Sequence, residues 1–293
     1  MKLRKLAVMA IAGALALSAS ACGKEGDSGS DEPTSAVESA VAVSGSKTFD
    51  AIKARGSVVI GVKEDQPNLG YKDPTTNEYS GFDISIAKLV AAKLGYSDDK
   101  IQFKAIPSAN REQAIVNQDI DYYVGTYSIT DKRKTQISFA GPYYIAGQDL
   151  LVRKDDSSIT GPETLKGKTV CSATGSTSIQ RIKDEHKDAK TVEFEKYSQC
   201  VDAVLNKQAD AVTTDDAILL GYAAQQPDKL KVVGKPFSEE KYGVGMNKDD
   251  KALRDKVNDI IEAAEKDGEW QKIYDATLGK SGSTATPPAL ERY

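Results

Sequence analysis

Short apolar runs alternate along the chain with longer segments whose apolar residues recur at helical spacing. The segment that begins at residue 81 is typical, because Phe82, Ile86 and Leu89 return every three or four positions. Strands are predicted at 57–62, 101–106, 120–124, 150–152, 169–171, 191–194, 209–213 and 242–246. Helices are predicted from residue 81 onward and at 111–117, 177–185, 200–206, 217–225 and 252–278. Alternating strands and helices indicate an α/β fold with mostly parallel sheets, and the two series predict two lobes.

Residues 1–21 have the layout of an export signal peptide. Three basic residues precede a short apolar stretch, and small residues then lead to Cys22. This order is similar to that of bacterial lipoprotein signals, in which the cysteine is diacylated after cleavage and two lipid chains anchor the protein. The alternative is an ordinary cleavage site at 19–21 that leaves Cys22 with a free thiol.

Two polar segments flank the predicted fold. Residues 22–47 are rich in Gly, Ser, Ala and acidic side chains without apolar periodicity, so we expect a flexible tether there. Residues 281–293 include Pro287 and Pro288 and are expected to form a loose tail.

Composition excludes several classes of function. The 293 residues include 39 Lys and Arg against 43 Asp and Glu, and this acidic balance argues against binding to nucleic-acid phosphates. His186 is the single histidine. A metal site with several histidine ligands is therefore excluded, and a Ser-His-Asp hydrolase is disfavoured because His186 is the one residue that could act as its base. The length suits two compact domains.

Two local features suggest chemistry of their own. Residues 173–178 lie between a predicted strand and a predicted helix, and their hydroxyl and N–H groups would suit an anion such as a carboxylate. Helix capping by Ser or Thr is the simpler explanation of the same pattern. Cys171 and Cys200 are an even pair in an exported chain, where a disulfide would persist, and the alternative is two buried thiols.

A series of short motifs follows a fixed order along the chain. They are 81–84 (GFDI), 110–111 (NR), 126–133 (TYSITDKR), 141–144 (GPYY), 174–177 (TGST) and 214–216 (TDD). From about Ser46 to Gly279 this order resembles the polar amino-acid solute-binding proteins of ABC importers, and most of all the glutamate-binding lipoproteins of actinobacteria. Ser85 stands where the family signature usually has an acidic residue, and we expect it on the helix surface.

The resemblance implies the type 2 periplasmic-binding-protein fold, with two Rossmann-like lobes, two extended crossovers and a ligand cleft between the lobes. It places the crossovers near 148–153 and 240–246. Lobe 1 is then expected to be discontinuous, at 48–149 and 243–280, and lobe 2 is expected at 150–242. The pair Cys171 and Cys200 would form a disulfide within lobe 2.

The resemblance also assigns the groups that hold the amino-acid backbone of the ligand. Arg133 would bind the α-carboxylate, with added contacts from Thr126 and Ser128, because a guanidinium matches a carboxylate with paired donors. Asp215 would bind the ammonium group. The loop that adds contacts from lobe 2 consists of Thr174, Gly175, Ser176 and Thr177. The alternatives are a solvated arginine for Arg133 and a helix N-cap for Asp215.

Three other residues are predicted to determine which ligand side chain the protein binds. Ser108 and Arg111 resemble the serine and arginine that bind the ligand side chain in glutamate/aspartate-binding relatives, and Lys63 ends a strand at the same mouth. Two cations and a hydroxyl would favour a second carboxylate, so we expect glutamate first, then aspartate or glutamine. The alternatives are a surface position for Arg111 and simple exposure of Lys63.

The implied function is the capture of an amino acid outside the cell, by hinge closure, and its delivery to an ABC permease and ATPase. By the same resemblance the protein would be a monomer without a cofactor, lipid-anchored on the outer face of the cytoplasmic membrane. One alternative is an enzyme similar to the cyclohexadienyl dehydratases, which share the fold but need a carboxylic acid near the leaving hydroxyl group. The other is a ligand-sensing subunit that acts through a partner.

Overall fold

The computed structural model describes residues 33–281 and 283–293, so the predicted signal peptide, Cys22 and the first part of the tether lie outside the described residues. The strands are β1 (Val58–Val62), β2 (Asp65–Gln66), β3 (Gly70–Lys72), β4 (Tyr79–Ser80), β5 (Ile101–Ala105), β6 (Tyr122–Tyr123), β7 (Ile137–Ala146), β8 (Gln148–Arg153), β9 (Thr169–Ala173), β10 (Lys190–Phe194), β11 (Ala211–Asp215), β12 (Leu230–Val232) and β13 (Glu240–Asn247). The helices are α1 (Lys47–Arg55), α2 (Phe82–Lys93), α3 (Arg111–Val116), α4 (Asp131–Lys134), α5 (Thr177–Glu185), α6 (Tyr197–Leu205), α7 (Asp216–Gln225), α8 (Lys251–Asp267) and α9 (Glu269–Ala276). Within the described residues, no helix is both long enough and apolar enough to span a membrane.

Two five-stranded sheets form the two lobes. The first has the order β5-β1-β6-β13-β7, in which β5, β1 and β6 are parallel and β13 runs antiparallel to its neighbours β6 and β7. The second has the order β10-β9-β11-β8-β12, with β10, β9 and β11 parallel and β8 antiparallel to β11 and β12. Strands β2, β3 and β4 form a small third sheet. The mixed α/β architecture in two lobes agrees with the fold expected from the sequence.

The chain crosses between the two sheets at two places. It leaves the first sheet after Ala146, and Gln148 already pairs with Asp215 in the second sheet. It returns at Glu240, which pairs with Ala146. Lobe 2 therefore begins and ends slightly earlier than the expected range 150–242, because backbone pairing extends to the ends of both crossover strands.

Helix α2 lies at the centre of the first lobe. It contacts β1 as well as helices α8 and α9, so most of its surface is covered. Phe82 packs edge-on against Trp270, and the indole N–H of Trp270 donates to the carbonyl of Tyr143 at 2.8 Å. Because neighbours surround the helix, Ser85 is buried, and the expectation of a surface position was wrong.

The last predicted helix is broken in the structure. The range 252–278 was expected to be one helix, but α8 ends at Asp267 and α9 begins at Glu269. Gly268 between them has φ 81°, a left-handed conformation that glycine adopts without steric cost and that ends helices.

The segments expected to be loose are partly docked on the first lobe. Val43 is buried, and the Ser46 hydroxyl donates to Asp250 at 2.8 Å, so the end of the predicted tether belongs to the folded lobe. In the tail, Glu291 N donates to the carbonyl of Gly141 at 2.9 Å. Apolar and hydrogen-bonding groups in these segments therefore hold them against the lobe, in contrast to the prediction of a tether up to residue 47 and a loose tail from 281.

A disulfide joins Cys171 in β9 to Cys200 in α6. Both cysteines are fully buried. The bridge ties a central strand to the helix that packs on it, and both elements belong to the second lobe.

Candidate functional site

Three parallel strands of the first sheet end at one edge, because β5, β1 and β6 lie side by side and run in the same direction. Lys63 directly follows β1, while Ser108 and Arg111 follow β5 and Thr126 follows β6. These four residues come from separate stretches of sequence. They meet at the carboxyl edge of the sheet, where ligands bind in α/β folds.

The ammonium group of Lys63 is buried at this edge. Its Nζ donates to Oγ of Ser108 at 2.7 Å, and the residue is only 4% exposed. Burial and the positive charge of Arg111 lower the pKa of Lys63 from 10.5 to about 7. Among the described residues this ammonium group forms no ion pair with a carboxylate, and its burial excludes the alternative of simple exposure.

Arg111 is buried beside it, with 2% exposure. Its Nε donates to the carbonyl of Ser108 at 3.2 Å, and its Nη1 donates to the carbonyls of Thr126 at 3.3 Å and Gly125 at 3.5 Å. The guanidinium carbon lies 4.2 Å from the ring centroid of Tyr127. Every hydrogen-bond partner described for Arg111 is a neutral carbonyl, so its charge has no carboxylate partner in the described part of the chain.

Arg133 lies in the short helix α4, near the cleft between the lobes. Its Nε donates to Glu112 Oε1 at 3.0 Å and its Nη1 to the carbonyl of Ser128 at 2.7 Å. Its Nη2 reaches across to the second lobe and donates to the carbonyl of Gly175 at 3.2 Å. Burial, reinforced by the charge of Arg111, lowers the pKa of Arg133. These bonds leave one N–H group on Nη1 and one on Nη2. A carboxylate can accept both of these hydrogen bonds as a bidentate pair.

Asp215 is the last residue of β11 and is 4% exposed. Its Oδ2 accepts a hydrogen bond from the Tyr242 hydroxyl at 2.6 Å, while its Oδ1 is buried with no partner among the described residues. Burial, aided by the charge of Glu240, raises the pKa of Asp215 from 3.8 to about 7. Although Asp215 stands at the start of α7, its side chain makes no capping hydrogen bond, in contrast to the alternative considered above.

The loop at 174–177 divides its groups between structure and cleft. Ser176 caps α5 by accepting a hydrogen bond from Ile179 N at 3.1 Å, as the simpler interpretation of the sequence expected. The hydroxyl of Thr177 donates to Glu240 at 3.0 Å, and Thr174 is exposed. Two groups of this loop reach predicted ligand-binding residues of the first lobe: the carbonyl of Gly175 accepts the bond from Arg133, and the hydroxyl of Thr177 lies 3.5 Å from that of Ser128.

The turn that carries Thr126 is fixed from below by Asp83. The backbone N–H of Thr126 donates to Asp83 Oδ2 at 2.9 Å, and the Tyr143 hydroxyl donates to Asp83 Oδ1 at 2.7 Å. Burial raises the pKa of Asp83 to about 6. The backbone N–H of Thr126 is therefore occupied, so the contact that Thr126 was expected to add falls to its hydroxyl group, which lies 3.2 Å from the side-chain amide of Gln66.

The lobes also touch at the other end of the cleft. Asp65 of the first lobe accepts hydrogen bonds from Ser198 N at 3.1 Å and from the Tyr222 hydroxyl at 3.2 Å. An ion pair joins Glu64 to Lys196. Together with the bond between Arg133 and Gly175, these contacts join the two lobes across the cleft.

Sequence reasoning missed several residues that shape the site. They are Asp83, Glu112, Tyr127, Tyr242 and Tyr197, whose ring centroid lies 6.0 Å from Nζ of Lys63. Asp83 and Tyr127 lie inside motifs that were recognised, and an acid or a ring within a buried motif could have indicated them. The others contact the site only because separate segments meet in the folded chain.

Residues 58–280 match the model of the family described as bacterial extracellular solute-binding proteins, family 3. The protein belongs to this family. A curated relative from Corynebacterium efficiens, named glutamate-binding protein GluB, is 39% identical over 235 residues, which are 77% of this chain and 80% of the relative. The glutamine-binding protein GlnH of a Bacillus subtilis ABC transporter is 37% identical over 274 residues, which are 93% of this chain and 96% of the relative. A solved structure of an ancestral amino-acid-binding protein, described as a precursor of cyclohexadienyl dehydratase, is similar with a TM-score of 0.73 at 31% identity, and the match covers 79% of this chain and 100% of that one.

As a member of this family, the chain is an amino-acid solute-binding protein of the ABC-transporter type. The extracellular solute-binding role belongs to the family as a whole. Both curated relatives are named as binding proteins, and neither is named as an enzyme. Their names differ in the amino acid, so the choice between glutamate and glutamine has to be argued from the site.

Proposed function

We propose that this protein captures L-glutamate outside the cell and delivers it to an ABC permease with its ATPase. The observation that carries the proposal is the pair of buried cations Lys63 and Arg111, neither of which has a carboxylate partner in the described part of the chain. Burying an uncompensated charge is costly, so a ligand that brings a carboxylate to this pair is strongly favoured.

Each charged group of glutamate has a complementary group in the proposed complex. The α-carboxylate binds the two remaining N–H groups of Arg133, and the side-chain carboxylate lies at Lys63, Arg111 and Ser108. The ammonium group binds the free Oδ1 of Asp215. Because Arg133 and Asp215 belong to different lobes, a ligand that bridges them stabilises the closed form over the open one.

The same charges disfavour other amino acids. A glutamine side chain supplies only a neutral oxygen to Lys63 and Arg111, and a basic side chain is repelled by them. Aspartate carries both carboxylates, but its side chain is one methylene shorter and cannot reach both carboxylate sites equally well. We therefore propose the order glutamate, then aspartate, then glutamine.

The remaining proposals concern the place of the protein in the cell. Cys22 follows an export signal, and we propose that it is acylated and anchors a monomeric binding protein on the outer face of the cytoplasmic membrane. Mass spectrometry of the protein from membranes tests the anchor. A mass that fits diacylated Cys22 supports it, whereas an unmodified chain that begins elsewhere contradicts it.

Titration calorimetry of the mature protein with glutamate, aspartate, glutamine and arginine tests the ligand. Lys63→Met should weaken glutamate binding by about 10- to 100-fold, because a hydrogen-bonded charge is lost, and should affect glutamine much less. Lys104→Met removes an exposed lysine from the neighbouring strand and serves as the matched control. Equal affinities for glutamate and glutamine, unchanged by Lys63→Met, would refute the proposed ligand.

A separate assay tests the alternative that the protein is an enzyme. Incubation with prephenate should give no product, and product formation would favour the enzyme alternative.

A further inference from the structure

The two arginines of the site share one aromatic ring. The guanidinium carbons of Arg111 and Arg133 lie 4.2 Å and 4.9 Å from the ring centroid of Tyr127. Both distances are in the range of cation–π contacts. We propose that Tyr127 is a positioning residue that sets the spacing between the two carboxylate-binding arginines and thereby the length of dicarboxylate that the cleft selects. This inference rests on the proposed function.

The ring is itself held firmly in place. Tyr127 is fully buried, and it packs edge-on against Tyr123 at 5.2 Å and against Phe139 at 4.9 Å between ring centroids. The strand β13 also passes close to it, since a Cβ added at Gly245 would lie 2.8 Å from the ring carbon Cε1 of Tyr127. Because the ring is confined on several sides, its position is fixed, and the two guanidinium groups that pack on it are held at a fixed distance from each other.

The electrostatic problem at the site explains why a ring is needed. Arg111 and Arg133 are buried like charges, and among the described residues only Arg133 has a carboxylate partner, Glu112. The negative face of an aromatic ring attracts a cation without neutralising it, so Tyr127 can stabilise both guanidinium groups while each remains available to a ligand carboxylate. The buried hydroxyl of Tyr127 has no hydrogen-bond partner of good geometry among the described residues, and the Tyr127→Phe variant separates any effect of the hydroxyl from that of the ring.

The consequence is a specific pattern of affinities. In this pose Arg133 holds the α-carboxylate and Arg111 the side-chain carboxylate, so loss of the ring lets the two sites move relative to each other. Glutamate, which must satisfy both sites at one spacing, then loses more affinity than glutamine or aspartate. A side chain that merely fills space would weaken all three ligands by the same factor when it is removed.

Calorimetry of Tyr127→Leu and Tyr127→Phe with glutamate, aspartate and glutamine measures this pattern. Tyr127→Leu should reduce the ratio of the glutamine Kd to the glutamate Kd by about tenfold, and the glutamate preference over aspartate should fall as well. The conservative Tyr127→Phe, which keeps the ring, should restore both ratios. Gly245→Ala displaces the ring without changing a charged residue and should shift the ratios in the same direction as Tyr127→Leu. Equal losses for all three ligands, or unchanged ratios in Tyr127→Leu and Gly245→Ala, would overturn the proposal.

A second measurement needs no ligand. In NMR relaxation of the side-chain Nε–H groups, Arg111 and Arg133 should be rigid in the parent and in Tyr127→Phe and more mobile in Tyr127→Leu, because the guanidinium groups lose the ring that holds them. Equal rigidity of both arginine side chains in the leucine variant would overturn the positioning role, even for a parent protein that binds no glutamate. Failure of the parent to bind glutamate would refute the proposed function and the selection of length, while the NMR result would still decide whether the ring positions the arginines. Should Tyr127→Leu fail to fold, Gly245→Ala gives the same two readouts.

Discussion

The hydroxyl group of Tyr242 donates a hydrogen bond to Oδ2 of Asp215 across 2.6 Å. Tyr242 lies on β13, the strand on which the chain returns to the first sheet, and Asp215 ends β11 of the second. The carboxylate that we assign to the ammonium group of the ligand is therefore held by a crossover strand. This arrangement links ligand binding to the position of the hinge through one hydrogen bond.

Replacement of Tyr242 by Phe should weaken glutamate binding by about 5- to 10-fold. Asp215 loses the donor that orients it and that favours its ionised form, and a hydrogen bond of this kind contributes about 1 kcal/mol. Calorimetry at pH 7.5 measures the change, with Tyr144→Phe on the neighbouring strand as the control. An affinity equal to that of the parent would mean that Asp215 needs no support from the hinge.

The position of Lys63 and Arg111 at one edge of the first sheet could be predicted, because it depends on strand order, while their roles toward a ligand stay a prediction. Lys63, Arg111 and Thr126 each follow a separate strand, and parallel pairing brings the ends of those strands to one edge. The burial of Lys63 and Arg111 did not follow from the sequence, because a basic residue in a loop or a short helix is ordinarily exposed.

The parts that sequence reasoning missed depend on contacts between distant segments. Glu112 of α3 pairs with Arg133 of α4, and Tyr242 meets Asp215 only when the two lobes are assembled. The docked tail is a similar case, since the Tyr293 hydroxyl accepts a hydrogen bond from Phe139 N at 2.8 Å. No local periodicity encodes such partners. The break at Gly268 differs from them, because a glycine within a long helical pattern is a recognisable stop signal.

Glutamate binding should weaken as the pH falls below about 7. The pKa of Asp215 is raised to about 7, and only the ionised carboxylate attracts an ammonium group. Since the ligand's positive charge favours ionisation, binding below this pH should release a proton. Calorimetry in buffers of different ionisation enthalpy measures that proton, and Asp215→Asn should abolish the release. Release that persists in this variant would assign it to another acid, such as Asp83, whose pKa is raised by burial to about 6.

Above about pH 7 the sign of the proton exchange should reverse. The pKa of Lys63 is lowered to about 7, so the free site is increasingly neutral there, and a ligand carboxylate restores the charged form. Glutamate binding at pH 8 should therefore take up a proton, whereas glutamine, with a neutral side chain, should take up much less. Lys63→Met should remove the uptake. The same uptake with both ligands would place the side-chain carboxylate away from Lys63.

Reduction of the bridge between Cys171 and Cys200 should destabilise the second lobe without changing ligand preference. The bridge closes a loop with a sequence separation of 29, for which the loss of unfolded-state entropy amounts to about 3–4 kcal/mol. Both cysteines belong to one lobe, so the hinge is not restrained by the bond. Thermal unfolding with and without reductant should show a lower Tm after reduction, and calorimetry should show the same order of ligands. A changed order of ligands would mean that the bridge shapes the site itself.

Replacement of Gly175 by Ala should hinder closure of the lobes. A Cβ at this position would lie 2.7 Å from the Cα of Ala109 in the opposite lobe, and the φ of 77° is one that alanine adopts only with strain. Gly175→Ala should therefore weaken every ligand by more than about tenfold, because the bond from Arg133 Nη2 to the carbonyl of Gly175 requires the same close approach.

Gly167→Ala is the matched control for this variant. Gly167 has a similar φ of 75°, but nothing lies within 4 Å of the added Cβ, so the control carries the backbone strain without the clash. Small-angle scattering should show compaction on glutamate binding in the parent and in Gly167→Ala, and a smaller change in Gly175→Ala. If Gly175→Ala and Gly167→Ala closed to the same extent and bound glutamate with the same affinity, any loss of affinity in Gly175→Ala would come from backbone strain alone. The contact between Gly175 and Ala109 would then not limit ligand capture.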